Sequence, residues 1–119
     1  MLRRIQLHRT KGWRLPEGTV VVSRPSRFGN PFKMHDLMAS GVASSLEDAR
    51  RIAIERYRDW VLCGEESEWW TPELARRHAA IWEHLSELRG KDLACWCPEG
   101  GPCHADVLME LANGECVSA

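Results

Sequence analysis

The sequence predicts a small three-layer α/β domain of the Rossmann-like kind, with a short sheet that is at least partly parallel. Three observations carry this. Apolar strand-like runs alternate with segments of helical periodicity, the order that builds parallel sheets. The 119 residues, 13.6 kDa and 44% hydrophobic composition match one domain spanning 1–119, of a size that buries roughly two thirds of its unfolded surface. Two Gly- and Pro-rich loops directly follow two of the apolar runs, where such folds place their ligands.

The first element is Arg4 to Arg9, alternating apolar and polar with period two as a half-buried strand does. Lys11 to Gly18, with Gly12, Pro16 and Gly18, is a loop. Thr19-Val20-Val21-Val22-Ser23 is a β-branched run suited to a more buried strand. Arg24 to Phe32 contains Pro25, Pro31 and a Gly29-Asn30 pair, so it is a shaped loop. Helical periodicity starts at Ser45, where Ser45 to Asp48 resembles a capping box; Ala49, Ile52, Ala53, Tyr57 and Trp60 share a face, and the helix ends near Leu62. The next helix has Thr71 as cap, Pro72 in its first turn, Leu74, His78, Ile81, Trp82 and Leu85 as its stripe, and Gly90 as its stop. The pair Trp69-Trp70 before it reads as a hydrophobic staple or a lid on the core, with self-association as the alternative. Asp92 to Cys97 is a buried strand, expected to neighbour 19–23 centrally in the sheet; Pro98 to Pro102 is a turn, and Cys103 to about Ala112 a last helix.

No apolar run is long enough to span a membrane and the start Met1-Leu2-Arg3-Arg4 lacks the apolar stretch of a signal peptide, so a cytoplasmic protein without membrane partners is expected. The odd count of five cysteines argues for reduced thiols rather than a secreted disulfide framework. Net charge is −1, yet residues 1–33 hold eight basic side chains and one acid, while 34–119 hold eight basic and sixteen acidic. An anion site belongs in the first third, unless the two halves simply pair with each other.

Cys95, Cys97, Cys103 and His104 fall within ten residues, a set that zinc would accept. Against this, Cys95 and Cys97 would share one face of a strand, unlike the usual zinc-knuckle spacing, and Cys95 reads equally as a small buried hydrophobe. A third reading makes Cys103, His104 and Asp106 a catalytic group. At a helix N-terminus a thiolate is favoured, with His104 or Asp106 as proton carrier, although neighbours on a helix do not face each other and Asp106 serves as well to complement the dipole. In the 24–32 loop, Arg24 and Arg27 offer bidentate donors, Ser26 and Asn30 neutral hydrogen bonds, and Gly29 room for close approach. Together they read as a phosphate or carboxylate cradle, or as arginines paired with the chain's acids. Phe28, Phe32 and Trp13 would stack on a base or join the core; Trp60 and Trp82 read as core.

Arg4-Ile5-Gln6-Leu7 with Lys11-Gly12-Trp13, the block Arg24-Pro25-Ser26-Arg27 to Gly29-Asn30-Pro31-Phe32, and Gly90 to Cys97 with Cys103-His104-Ala105-Asp106-Val107-Leu108 together resemble the small bacterial and phage proteins grouped as domain of unknown function 4326. The resemblance spans nearly the whole chain and implies no activity. The Gly90 to Leu108 block is also similar, more distantly, to an uncharacterised α/β family in which a strand ending in cysteine is followed by a Cys-His-Arg helix start; Ala105 here replaces that arginine.

Two classes of function follow. One is a domain that binds or acts on a nucleotide, nucleoside or other phosphate-bearing small molecule at the 24–32 loop and the Cys97–Asp106 turn. The other is a non-catalytic protein- or nucleic-acid-binding module in which the Cys/His cluster is structural. Oligomeric state is left open.

Overall fold

The β-branched and apolar runs near residues 5, 20 and 94 meet in a three-stranded parallel sheet. In the computed structural model, which describes residues 2–98 and 101–113, strands β1 (Arg4–Gln6), β2 (Val20–Val21) and β3 (Leu93–Cys95) lie in the order β1-β3-β2. Leu93 stands opposite both Arg4 and Val20, and Ala94 opposite both Ile5 and Val21. The predicted neighbours 19–23 and 92–97 are thus paired. Of the two only β3, buried throughout, is central; β2 is an edge strand, with Val21 37% exposed. The strands are shorter than the sequence pattern indicates. Val22 still donates its amide to the Ala94 carbonyl (2.9 Å), and the chain turns directly after it, the Ser26 amide donating to the Ser23 carbonyl (2.9 Å); the Arg24–Pro25 bond is cis.

Four α-helices and short 3-10 turns accompany the sheet among the described residues. Helix α1 (Met34–Ala39) was not anticipated: it has six residues, no side-chain cap and one buried side chain, Leu37, which is too little periodicity to register. Helix α2 (Leu46–Cys63) starts as expected, with Ser45 Oγ accepting from the Asp48 amide at 3.0 Å. The Asp48 carboxylate reaches back to the Ser44 amide, so the reciprocal half of the box is displaced by one residue. The predicted helix from Thr71 to Gly90 is less regular. A 3-10 turn (Pro72–Leu74) leads into α3 (Ala75–His84), which tightens again into a 3-10 turn (Leu85–Leu88), and Thr71 makes no side-chain cap. Gly90 ends it at φ 72°, the left-handed conformation that favours glycine. Helix α4 is His104–Asn113.

The core is built on Tyr57 and Trp60 of α2, Ile81 of α3, Leu88, Leu93 of β3 and Val107 and Leu108 of α4, each 1% exposed or less. A satellite cluster of Leu37, Ala43, Ala49 and Ala53 seats α1 on α2. Trp82 is a correction: it is 44% exposed and spends its indole N–H on the Val61 carbonyl (3.0 Å) at the end of α2. Phe28 is core, whereas Phe32 is only partly buried, with its ring edge-on to Trp60. Trp69 and Trp70 pack against the core, Trp69 beneath the Arg56 guanidinium. Among the described residues no helix is long and apolar enough to cross a membrane.

Candidate functional site

Both constrained loops leave the carboxyl ends of adjacent parallel strands, so they meet. Strand β3 ends at Cys95, the turn places Cys97 beside it, and the chain returns at Cys103 to open α4. Cys95 Sγ lies 3.9 Å from Cys97 Sγ and 3.9 Å from His104 Nδ1, and Cys103 Sγ lies 3.7 Å from the same nitrogen. The ligand atoms of Cys95, Cys103 and His104 all fall within 4.8 Å of one another, and these three residues are buried. Two sequence objections dissolve here. Cys97 lies beyond the strand, so it need not share its face, and Cys103 precedes the helix, so the rule for helix neighbours does not separate it from His104.

The imidazole is oriented from behind. His104 Nε2 lies 2.8 Å from the Val22 carbonyl, which only accepts; Nε2 therefore carries the proton and Nδ1 presents its lone pair to the sulfurs. The Tyr57 ring meets it edge-on at 5.2 Å between centroids. Crowded sulfurs share protons unequally. Donation from Cys103 and then Cys97 holds the Cys95 thiol down to about 3. The same neighbours, Cys103 first, push Cys97 far up. Cys103 is pushed up by Cys95 but more than compensated by Cys97 and His104, and is lowered.

Asp106 is the N-terminal partner of α4: its carboxylate accepts from the Cys103 amide at 3.2 Å, and its own amide donates to the Cys103 carbonyl. Burial holds its pKa above the usual carboxylate value. Of the trio Cys103, His104 and Asp106, the thiol and the imidazole are buried at 0% and 5% exposure, while the Asp106 side chain reaches the surface beside Arg4, its Oδ1 3.7 Å from the Arg4 Nε.

A pocket of about 280 Å³ opens over this cluster, with Cys95, Cys97 and His104 on one side and Arg24, Phe32 and Arg50 among the facing residues. Of the predicted cradle, only Arg24 and Asn30 line it. Asn30 is occupied in holding the loop, donating to the Ala53 carbonyl (3.1 Å) and accepting from the Phe32 amide (2.8 Å). Ser26 Oγ accepts from the Phe28 amide, and Arg27 points away, 3.7 Å from Glu87 on the surface. Gly29 is buried, and the space of its missing side chain is filled by Arg24: a Cβ there would lie 2.6 Å from Arg24 Cγ.

The residue that sequence reasoning missed is Arg50. Its Nε is buried without a hydrogen-bond partner among the described residues, and the side chain lines the pocket. Its neighbour Arg51 makes it look like part of a solvated face. The signal was its spacing: Arg50 precedes Ala53, Ile54 and Tyr57 by three, four and seven, which puts a cation in line with the buried stripe of α2.

These features define a small α/β domain with a thiol–imidazole cluster under a cation-lined pocket. The chain belongs to the family described as Domain of unknown function (DUF4326), whose profile matches residues 5–114. Comparison with the curated proteins and with the solved structures finds no match.

Proposed function

We propose that the protein is a zinc-anchored binding domain for a small phosphate-bearing molecule of the nucleotide or nucleoside class. The observation that carries the reading is the pocket itself, lined both by Arg50, whose Nε is buried and unpartnered among the described residues, and by members of a cluster whose atoms could hold a metal. Two thiolates on one tetrahedral zinc stand about 3.8 Å apart and a thiolate and an imidazole nitrogen about 3.5 Å. The 3.9 Å between the Cys95 and Cys97 sulfurs and the 3.9 and 3.7 Å from Cys95 and Cys103 to His104 Nδ1 are of that order, and Cys95, Cys103 and His104 form the group whose ligand atoms are all within 4.8 Å of one another. The Val22 carbonyl behind His104 is the kind of outer partner that fixes a ligating imidazole.

Cys95, Cys103 and His104 would hold the ion, with Cys97, 3.9 Å from the Cys95 sulfur, as the fourth ligand. Bound there, zinc neutralises the thiolates and ties β3, its turn and α4 together. Arg50 and Arg24 then bind the ligand's anionic group by charge-assisted hydrogen bonds, and Phe32 and Trp96 cover its flat apolar part. The expected result is close to one zinc per chain by elemental analysis, lost in His104→Ala. Titration with uridine monophosphate should give saturable binding, weakened on the order of ten- to a hundredfold in Arg50→Met. Metal-free purified protein whose four clustered and exposed thiols all react at once, together with no nucleotide binding, would refute the reading.

A further inference from the structure

The pocket does not account for a second concavity beside it. This groove, about 420 Å³, follows the outer side of the 24–32 loop and is lined by Arg24, Arg27, Lys33, Arg76 and Arg77, with no acid among its lining residues. The cations come from two places: three from the loop region after β2 and two from the first turn of α3. Little neutralises them. Arg27 and Glu87, both about half exposed, make a surface pair of the kind that contributes little. Arg77 donates to the Gly29 carbonyl at 3.2 Å, which orders it and leaves its charge. Arg24, Lys33 and Arg76 have no ion-pair partner among the described residues.

Arg24 lines both concavities, so the groove adjoins the pocket, where Trp96 is 44% exposed and Phe32 partly buried. A row of cations leading to aromatic faces is how proteins hold single strands: charge follows the phosphates and rings take the bases. We infer that the groove is a binding surface for the phosphodiester backbone of single-stranded nucleic acid, a strand end or base reaching the pocket at its inner end. This deepens the proposed nucleotide pocket and rests on it for the identity of the group at that end. Five cations along an open groove exceed what one phosphate group engages, whereas successive phosphates of a strand engage them in turn. Because the whole chain is at net −1, attraction is confined to the groove and is screened readily.

The test is fluorescence anisotropy of a 5′-fluorescein-labelled twelve-nucleotide oligo(dT) and oligo(U) between 50 and 300 mM NaCl. Three to five phosphate contacts predict a slope of log affinity on log salt of roughly −2 to −3.5, a loss of about 15- to 130-fold between 50 and 200 mM. The double variant Lys33→Glu with Arg76→Glu, at two exposed positions, should weaken binding and flatten the slope by about 1.4. Its melting temperature, zinc content and uridine monophosphate affinity should stay unchanged. No binding at 50 mM salt, an unchanged slope in the double variant, or a nucleoside triphosphate bound as tightly as the oligonucleotide would each overturn the inference. If the oligonucleotide binds no more tightly than the mononucleotide, the groove falls and the pocket stands. If it binds with the steep slope while Arg50→Met alters neither ligand's affinity, the groove stands and the pocket reading falls.

Discussion

Arg4 opens the first strand, yet its side chain reaches across to the far block of the sequence. Its guanidinium is 12% exposed and donates from one nitrogen to the carbonyls of Pro98 (2.9 Å) and Gly101 (2.7 Å), with Nε 3.7 Å from the Asp106 carboxylate. Burial alone would lower its pKa, but Cys103, Asp106 and Cys97 around it raise it above the ordinary value. It therefore clasps the connection between Cys97 and Cys103 and sets a fixed positive charge beside Cys103. Arg4→Met keeps most of the stem and removes both functions. Hydrogen bonds from a charged donor contribute about 1.5–3 kcal/mol each, and the bond to Pro98 lies where water can replace it, so the loss should be about 2–4 kcal/mol. The urea midpoint should fall accordingly. Zinc affinity, measured by competition with a chromophoric chelator, should fall on the order of ten- to a hundredfold, as when other outer partners of metal ligands are removed. Arg4→Lys should recover the charge and one of the two carbonyls, hence part of both effects. A variant Arg4→Met with unchanged urea midpoint and unchanged zinc affinity would show that solvent serves the two carbonyls as well as the guanidinium does, and the clasp would be no clasp.

Three further outcomes follow from single contacts. Tyr57, fully buried, donates its hydroxyl to the Phe28 carbonyl at 2.9 Å; Tyr57→Phe leaves that carbonyl unsatisfied and should cost about 1–2 kcal/mol in urea unfolding, and an unchanged midpoint would show that the loop finds another donor. Gly29→Ala would place a Cβ 2.6 Å from Arg24 Cγ and 3.0 Å from Arg24 Cα; the side chain can swing but the backbone must move, for a loss of about 1–3 kcal/mol and weaker mononucleotide binding, and normal values for both would show that the loop yields freely. Cys63, exposed at the end of α2, is held above the ordinary thiol value by partial desolvation and then by the carboxylates of Asp59, 3.6 Å away, and Glu66. A raised pKa means less thiolate at a given pH, so its alkylation should rise only at higher pH than for a free thiol, and Asp59→Asn should shift the rate profile downward in pH; a profile that ignores Asp59 would refute the assignment.

The elements with many residues of evidence were legible. Helix α2 shows its cap at Ser45 and its stripe through Tyr57 and Trp60, and β3 shows three consecutive buried residues. What failed was local. Helix α1 has too few turns for a period to be seen, and Trp82 satisfies a helical stripe while its indole is drawn outward to the Val61 carbonyl. Adjacency in sequence makes the 24–32 segment look like one cradle. A cis bond and two Asx- and Ser-type turns fold the loop so that Ser26, Gly29 and Asn30 are consumed in shaping it, while Arg24 and Arg27 emerge toward different neighbours.

The cluster at Cys95 illustrates the opposite case, in which the spacing departs from that of a zinc knuckle yet the fold brings Cys95, Cys103 and His104 within 4.8 Å of one another. Cys97 and Cys103 lie just outside β3 and α4, where neither strand nor helix periodicity governs which side chains meet. The orienting carbonyl, Val22, comes from the neighbouring strand and is 82 residues distant from His104, so no local pattern could announce it. The parallel β2–β3 pairing supplies it: the register that sets Val21 opposite Ala94 carries Val22 to the level of Cys95, beside the start of α4. The same pairing carries Arg24, two residues on, to the pocket mouth. A cation from the basic first third of the chain is thereby set beside the thiol and imidazole groups encoded in the last, and that strand pairing, rather than any single motif, is what brings the two blocks to one pocket.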